Sequence, residues 1–239
     1  MNKLYKTALG LGFAAMSAFA QADTTVAALT GSSQLDLQGN FAYALTLNGN
    51  AAGTTIGDAT FTNASTTSGV SLTNQNYIGN WSTRTFTNSQ DDIKLGNVMT
   101  SIVWSYVNPN MQDAQVVMLS MSGLTVGATY KTQLLFDETI YDRGFNVYRD
   151  NTSIATDVSP FGLNTNSTLR SAVLTDTFIA TSTTVTYGLG GIDALHSDNN
   201  PILNAATLEV SAVPEPETYA MLLAGLGMLG WTARRRKQS

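Results

Sequence analysis

The sequence predicts an all-β protein, an antiparallel β-sandwich with a short apolar segment at each end of the chain. Apolar and polar residues alternate with a period of two over short runs, and hardly any stretch repeats at the helical i, i+3, i+4, i+7 spacing. Glycine, asparagine and aspartate separate these runs at intervals that suit turns. The segment between the two ends, residues 23–212, is long enough to form one β-rich domain with a sizeable core. The chain has no cysteine, so that core must supply the stability, and a cysteine nucleophile, a haem attachment motif and a thiolate metal site are all excluded.

At the N-terminus, Lys3 and Lys6 precede an apolar run from Ala8 to Phe19, and Ala20 and Ala22 supply the small residues of a leader cleavage site. Residues 1–22 therefore read as a secretory signal peptide, with the mature chain starting at Gln21 or Asp23. Next, Phe41, Tyr43, Leu45 and Leu47 alternate with small or polar residues and run into Asn48-Gly49, a hairpin signal. Ser101 to Val107, Gln115 to Met121 and Tyr130 to Phe136 are β-branched, aromatic or nearly continuously apolar, and form the expected core strands. Phe145 to Tyr148 and Thr152 to Ala155 flank Asp150-Asn151 as a second hairpin. Thr168 to Phe178, Thr183 to Leu189 and Ala206 to Ser211 complete a set of about ten strands at even spacing, the pattern of a sandwich. Between Leu124 and Tyr130 a glycine turn at Gly127 leads into a tyrosine that starts a strand. In many sandwiches the hydroxyl at such a corner bonds nearby backbone.

Residues 23–212 hold six Lys/Arg against fifteen Asp/Glu, a net charge of −9, which argues against binding nucleic acid or an anionic polymer through charge. The C-terminal segment, 213–239, has three parts: Val213-Pro214-Glu215-Pro216, an apolar run from Tyr219 to Ala233, and the cluster Arg234, Arg235, Arg236 and Lys237. The prolines keep the triplet extended and accessible. Fifteen apolar residues make about 22 Å of helix, short of the roughly 30 Å hydrocarbon core, so the run is a marginal single transmembrane span. The basic cluster stays on the cytoplasmic side, leaving the triplet on the outer face.

This tripartite order closely resembles the PEP-CTERM sorting signal of Gram-negative bacteria. The resemblance implies that an exosortase, a membrane protease-transpeptidase, acts near the triplet and removes the tail. It also implies transient anchoring in the inner membrane with the domain in the periplasm, then release to the cell surface or extracellular space, in association with exopolysaccharide or biofilm matrix. A second, weaker resemblance covers Met118 to Tyr148 and Asn200 to Val210. These stretches look like the jelly-roll domains of the malectin-like and galactose-binding-like group, which implies a sandwich able to bind glycans. No sugar-contact residues carry over from it.

Several residues are candidates for chemistry. Asp91-Asp92, Asp137-Glu138 and Asp142 are the carboxylates a secreted glycoside hydrolase, the alternative reading, would draw on, because that reaction needs two carboxylates facing each other across a cleft. Adjacent acids on a strand point to opposite faces, which disfavours catalysis by such a pair. Asp137, Glu138 and Asp142 instead suggest a loop that supplies hard oxygen ligands to a structural calcium ion. No other cofactor is expected. His196, the only histidine, has no Gly-x-Ser-x-Gly partner motif and reads as a loop residue in an oxygen-rich segment with Asp193, Asp198, Asn199 and Asn200, which suits a turn better than a cation site. Among the aromatics Trp81, Trp104, Tyr106 and Tyr141, the sequence places Trp104 in the core. It makes Trp81, flanked by Gly79, Asn80 and Ser82, the exposed candidate for stacking on a sugar. The expected product is a noncatalytic, exported binding protein.

Overall fold

The computed structural model describes residues 23–47, 51–81, 86, 88–108, 114–163, 170–191, 195–211 and 224–226. In chain order the strands are β1 (Asp23–Ala28), β2 (Asn40–Thr46), β3 (Thr55–Ile56), β4 (Ala59–Thr60), β5 (Thr62–Asn63), β6 (Val70–Thr73), β7 (Asn76–Ile78), β8 (Ile102–Trp104), β9 (Gln115–Ser122), β10 (Thr129–Asp137), β11 (Phe145–Arg149), β12 (Thr152–Val158), β13 (Ser171–Ile179), β14 (Thr184–Gly190), β15 (Ile202–Leu203) and β16 (Ala205–Val210), with helix α1 (Gln90–Val98) between β7 and β8. A six-stranded sheet in the order β1-β13-β10-β16-β2-β5 packs against a five-stranded sheet in the order β12-β11-β14-β9-β6. Two smaller sheets, β15-β8-β7 and β3-β4, lie beside them.

The main core lies between the two large sheets. Leu134, Phe136, Leu174, Phe178 and Leu208 from the first meet Val117, Leu119, Val147, Val185 and Tyr187 from the second. A second apolar cluster covers the opposite face of the six-stranded sheet, where Leu135, Val173 and Ala205 meet Leu29, Phe61, Leu95 and Val98. This explains why β10 alternates at first and then turns wholly apolar at Leu134-Leu135-Phe136: its later half is covered on both faces, so neither side can be polar.

The expected strands from Gln115 onward are present, and the hairpin at Asp150-Asn151 forms with both residues at positive φ, 48° and 66°, as a type I′ turn requires. The tyrosine corner forms too, since the Thr125 N–H donates to the Tyr130 hydroxyl at 2.9 Å. Three expectations are corrected. Asn48-Gly49 lies outside the described residues, but β2 pairs with the distant β16 and, in parallel, with β5, so it is not the first arm of a local hairpin. The stretch from Ser101 to Val107 contributes only the three residues of β8. Asp91 and Asp92 stand in the first turn of α1, not on a strand; there Ser89 caps the helix by accepting the Asp92 N–H at 3.0 Å, and carboxylates near the N-terminus offset the helix dipole.

Both described ends of the domain leave the sandwich at one pole. Asp23 pairs with Thr177 near the end of β13, Val210 pairs with Tyr130 at the start of β10, and the Ser211 N–H donates to the Thr129 carbonyl at 2.9 Å. At the other end of the nine-residue β10, about 30 Å away at ~3.3 Å per residue, Asp137 pairs with Ser171 and the connections after β7, β8, β10, β12 and β14 gather. The first end is the termini pole and the second the loop pole.

Candidate functional site

The loop pole is organised around Arg143, whose side chain is 5% exposed. Its Nε pairs with Glu138, its Nη2 lies 3.5 Å from Asp198 Oδ2, and its Nη1 donates to the Asn200 carbonyl at 2.9 Å. One cation thus ties the β10–β11 loop to the segment that precedes β15. Glu138 is wholly buried, and its other oxygen accepts the backbone N–H groups of Thr139, Ile140 and Tyr141 at 2.7, 3.3 and 3.4 Å, which folds the loop around its own carboxylate. The Val107 N–H donates to Asn200 Oδ1 at 2.7 Å, bringing the β8–β9 loop into the same assembly.

Beside Arg143 stand two parallel rings. Trp81 and Tyr141 lie 6.0 Å apart with planes 6° from parallel, and the guanidinium sits 4.7 Å from the Tyr141 ring centre and 5.9 Å from that of Trp81. Such a cation over a ring contributes about 0.5–2 kcal/mol depending on its desolvation. Trp81 is half-buried against the main core, and its indole N–H donates to the Asp137 carbonyl at 3.1 Å, so its ring is fixed in place and does not project freely as expected. Tyr141 and Ile140 carry the exposed part of this surface, at 42% and 72%. Tyr106 is also exposed, while Trp104 packs against the main core as the sequence indicated.

His196 closes the second side of the site. Its Nδ1 lies 2.7 Å from Asp142 Oδ1 and its Nε2 lies 2.7 Å from Asp157 Oδ1. A neutral imidazole has one N–H and one lone pair, and carboxylates only accept, so this double contact is satisfied only by the imidazolium. Burial alone would lower the pKa of His196, but the hydrogen bonds and negative charges of Asp142 and Asp157 outweigh it and hold the pKa above its ordinary value. The contact also fixes Gly144, because a Cβ there would stand 2.0 Å from His196 Cδ2. A group whose folded pKa is raised gives its full stabilisation below the unfolded value of about 6.5 and loses it as pH climbs through the folded value. We therefore expect the thermal midpoint to fall as pH rises from the unfolded value of about 6.5 through the raised folded value, and His196→Gln to flatten that slope. A native chain with a flat profile over the same range would contradict the imidazolium clamp.

The other sequence-derived candidates separate. Asp137 accepts the Ser171 hydroxyl at 2.5 Å, Glu138 takes Arg143, and Asp142 takes His196. The three carboxylates the sequence offers to calcium thus engage three different protein groups, and no group of three or more His, Cys, Asp or Glu that could hold a metal ion occurs among the described residues. A cavity of about 380 Å³ beside β2 is lined by one carboxylate, Asp58, where a two-carboxylate hydrolysis needs two. Ala20 and Ala22, Val213 to Pro216, and Arg234 to Lys237 lie outside the described residues. Residues 224–226 are helical, and among the described residues no helix is long and apolar enough to cross a membrane.

The pattern described as the PEP-CTERM protein-sorting motif matches residues 212–237, directly after the last residue of the sandwich. The chain carries a PEP-CTERM sorting tail. No curated protein sequence matches the chain. Among solved structures, the extracellular domain of ANXUR1 from Arabidopsis thaliana is similar with a TM-score of 0.51 at 13% identity, covering 71% of this chain and 48% of that one. The plant receptor-like kinase ANX2 is similar at 0.53 and 11%, covering 74% and 51%, and the ANX1 ectodomain from Arabidopsis thaliana at 0.52 and 14%, covering 74% and 52%. The chain spans about half the length of these structures. They are malectin-like ectodomains, and at such identities the likeness is one of fold. The sorting motif thus follows directly on a β-sandwich similar in fold to those ectodomains, and the site at the loop pole lies at the opposite end of the sandwich from Ser211, the last described residue before the motif.

Sequence reasoning identified Trp81, Tyr141 and Asp142 but missed the roles of Arg143 and His196. The available signal was a scarcity: Arg143 is one of only six Lys/Arg in residues 23–212 and follows three acids within six residues.

Proposed function

We propose that this is an exported protein, processed by an exosortase near Val213 to Pro216, whose sandwich then acts at the cell surface or in the extracellular matrix as a noncatalytic glycan-binding module. The observation that carries this reading is the sorting motif at residues 212–237. The fold supports it, since the malectin-like relatives in structure are extracellular domains. The loop pole supports the binding role. Trp81 and Tyr141 form a fixed aromatic pair, and the exposed Tyr141 ring gives the C–H face of a sugar a desolvated platform. Exopolysaccharide is the glycan that this address makes available.

The deciding experiment is the intact mass of the protein isolated from its host, with and without exosortase. Loss of residues 1–22 and of the tail only when exosortase is present is the expected result. Retention of Tyr219 to Ser239 in both strains would withdraw the reading. For the binding role, Tyr141→Ala in the processed protein is expected to lower affinity for exopolysaccharide oligosaccharides about tenfold, since a stacked ring contributes about 1 kcal/mol or more. Unchanged titration calorimetry of that variant would remove the glycan from this site.

A further inference from the structure

The register of the last strand limits how a protease can reach the sorting motif. β16 is an interior strand, paired with β10 on one side and β2 on the other, and the Ser211 N–H is still bonded to Thr129. Pro214 follows three residues later. Fully extended, three residues reach about 10 Å. An active site that acts on the folded protein at the Pro-Glu-Pro triplet, whose last residue is five beyond Ser211 and reaches at most about 17 Å, must therefore come close to the termini pole. Peeling β16 away instead would break ladders on both of its sides and open the main core at Leu208.

The surface that such an enzyme would meet is built from three turns, residues 66–69, 122–129 and 179–184. They are tied together by Ser122 N to the Gly69 carbonyl at 2.9 Å, Leu124 N to the Thr183 carbonyl at 3.0 Å and Gly127 N to the Ala180 carbonyl at 2.8 Å. None of the three contains an Asp, Glu, Lys or Arg, in a domain whose net charge is −9. Thr125, Val126 and Thr181 are exposed there, Val126 at 58%. Asp150, in the neighbouring hairpin, directs Oδ1 to the Thr186 N–H at 2.9 Å. Asp23 starts β1 at the same pole, so leader and tail can occupy one membrane together without unfolding the sandwich.

We propose that the termini pole, through the uncharged turns around Val126 and Thr181, is the docking surface for the outer face of the processing protease, which removes the tail from the already folded domain. This rests on the exosortase reading above and adds a partner surface to it. Uncharged, firmly bonded turns can lie against a membrane enzyme or an anionic leaflet without desolvating a charge of their own, with Asp23 and Asp150 standing outside them, whereas a carboxylate placed on the turns would be buried unpaired or repelled.

The test uses the full-length chain in its own host and follows tail removal by pulse-chase and intact mass. The Val126→Glu/Thr181→Glu double variant alters exposed side chains and is expected to slow tail removal about tenfold, the effect of one unfavourable charge in an interface. Leu163→Glu, at an exposed position in the connection after β12 at the loop pole, is expected to leave the rate unchanged. A four-residue Gly-Ser insertion after Ser211, which moves the triplet away from the pole, is expected to restore the rate of the double variant. Processing of the double variant at the native rate would overturn the proposal, as would slow processing that the insertion does not relieve. Retention of the tail by the unaltered chain would instead remove the exosortase reading itself.

Discussion

Asp176→Ala is expected to cost about 3–5 kcal/mol, the penalty for removing one partner of a buried ion pair, and to leave little folded protein at 37 °C. Asp176 lies on β13 in the inward-facing series with Leu174 and Phe178, and it is fully buried. Both of its oxygens accept from Arg149 Nη1, at 2.6 and 2.7 Å, and they also accept the hydroxyls of Tyr187 and Thr24, each at 2.7 Å. Arg149 and Tyr187 belong to the five-stranded sheet and Thr24 to the edge strand β1, so one carboxylate joins both sheets and the chain's first strand. Burial and then the charge of Asp176 raise the Tyr187 pKa well above its usual value, so the phenol stays a donor. Removing the acceptor strands a guanidinium and a phenol in an apolar layer, and against a typical total of about 5–15 kcal/mol that is a large fraction. Arg149→Met/Asp176→Leu/Tyr187→Phe removes the carboxylate, the guanidinium and the phenol hydroxyl at similar volume, leaving only the Thr24 hydroxyl at the edge strand, and is expected to recover most of the loss. Urea unfolding of the two variants decides the matter. If the triple variant is as unstable as Asp176→Ala, the damage is to packing and the network has no special role.

That network illustrates what a period-two pattern can and cannot reveal. The alternation of Leu174 and Phe178 assigns Asp176 to the core face, but alternation alone treats an inward acid as an exception and does not name its partner. The partner, Arg149, comes from another sheet, set by pairing that joins β11 to β14 and not to β13. Local signals fared better. Asp150-Asn151, Gly127 and Tyr130 each determine their own turn through backbone preferences within a few residues, and each turn forms as read. Helix α1 was also within reach of local reading, because Ser89 followed by Asp92 is a capping pair, although its apolar residues are too few to show the helical period over nine residues.

The loop pole was harder to read for the same reason as Asp176. Trp81, Arg143, Asp157 and His196 are spread over more than a hundred residues, and only the sheet order brings their loops to one end. Composition marked Trp81 and Tyr141 as rings worth attention, yet the flanking Gly79 and Asn80 suggested exposure where the indole is in fact held by the Asp137 carbonyl. The tail shows the opposite case. Its information is wholly local, in the order of a proline triplet, an apolar run and a basic end, and no tertiary contact is needed to read it.

Replacing Pro214-Glu215-Pro216 with three alanines is expected to abolish tail removal and leave the protein in the membrane fraction. Each proline in a helix interior costs about 3 kcal/mol relative to alanine, so the native triplet stops any helix that begins in the apolar run. With alanines, the best helix formers, Val213 to Thr218 can join Tyr219 to Ala233. Twenty-one residues at ~1.5 Å make about 32 Å, enough to span the hydrocarbon core where fifteen make only about 22 Å. The substitution therefore removes the extended segment a protease would grip and also lengthens a marginal span into a complete one, with Arg234 to Lys237 still fixing the cytoplasmic end. Two narrower variants separate these effects. Glu215→Gln keeps both prolines and is expected to be processed if backbone shape dominates, whereas Pro214→Ala/Pro216→Ala keeps the charge and is expected to retain the tail. Intact mass and membrane fractionation of all three give the answer, and removal of the tail from the triple-alanine chain at the native rate would mean that the triplet is not what the enzyme reads.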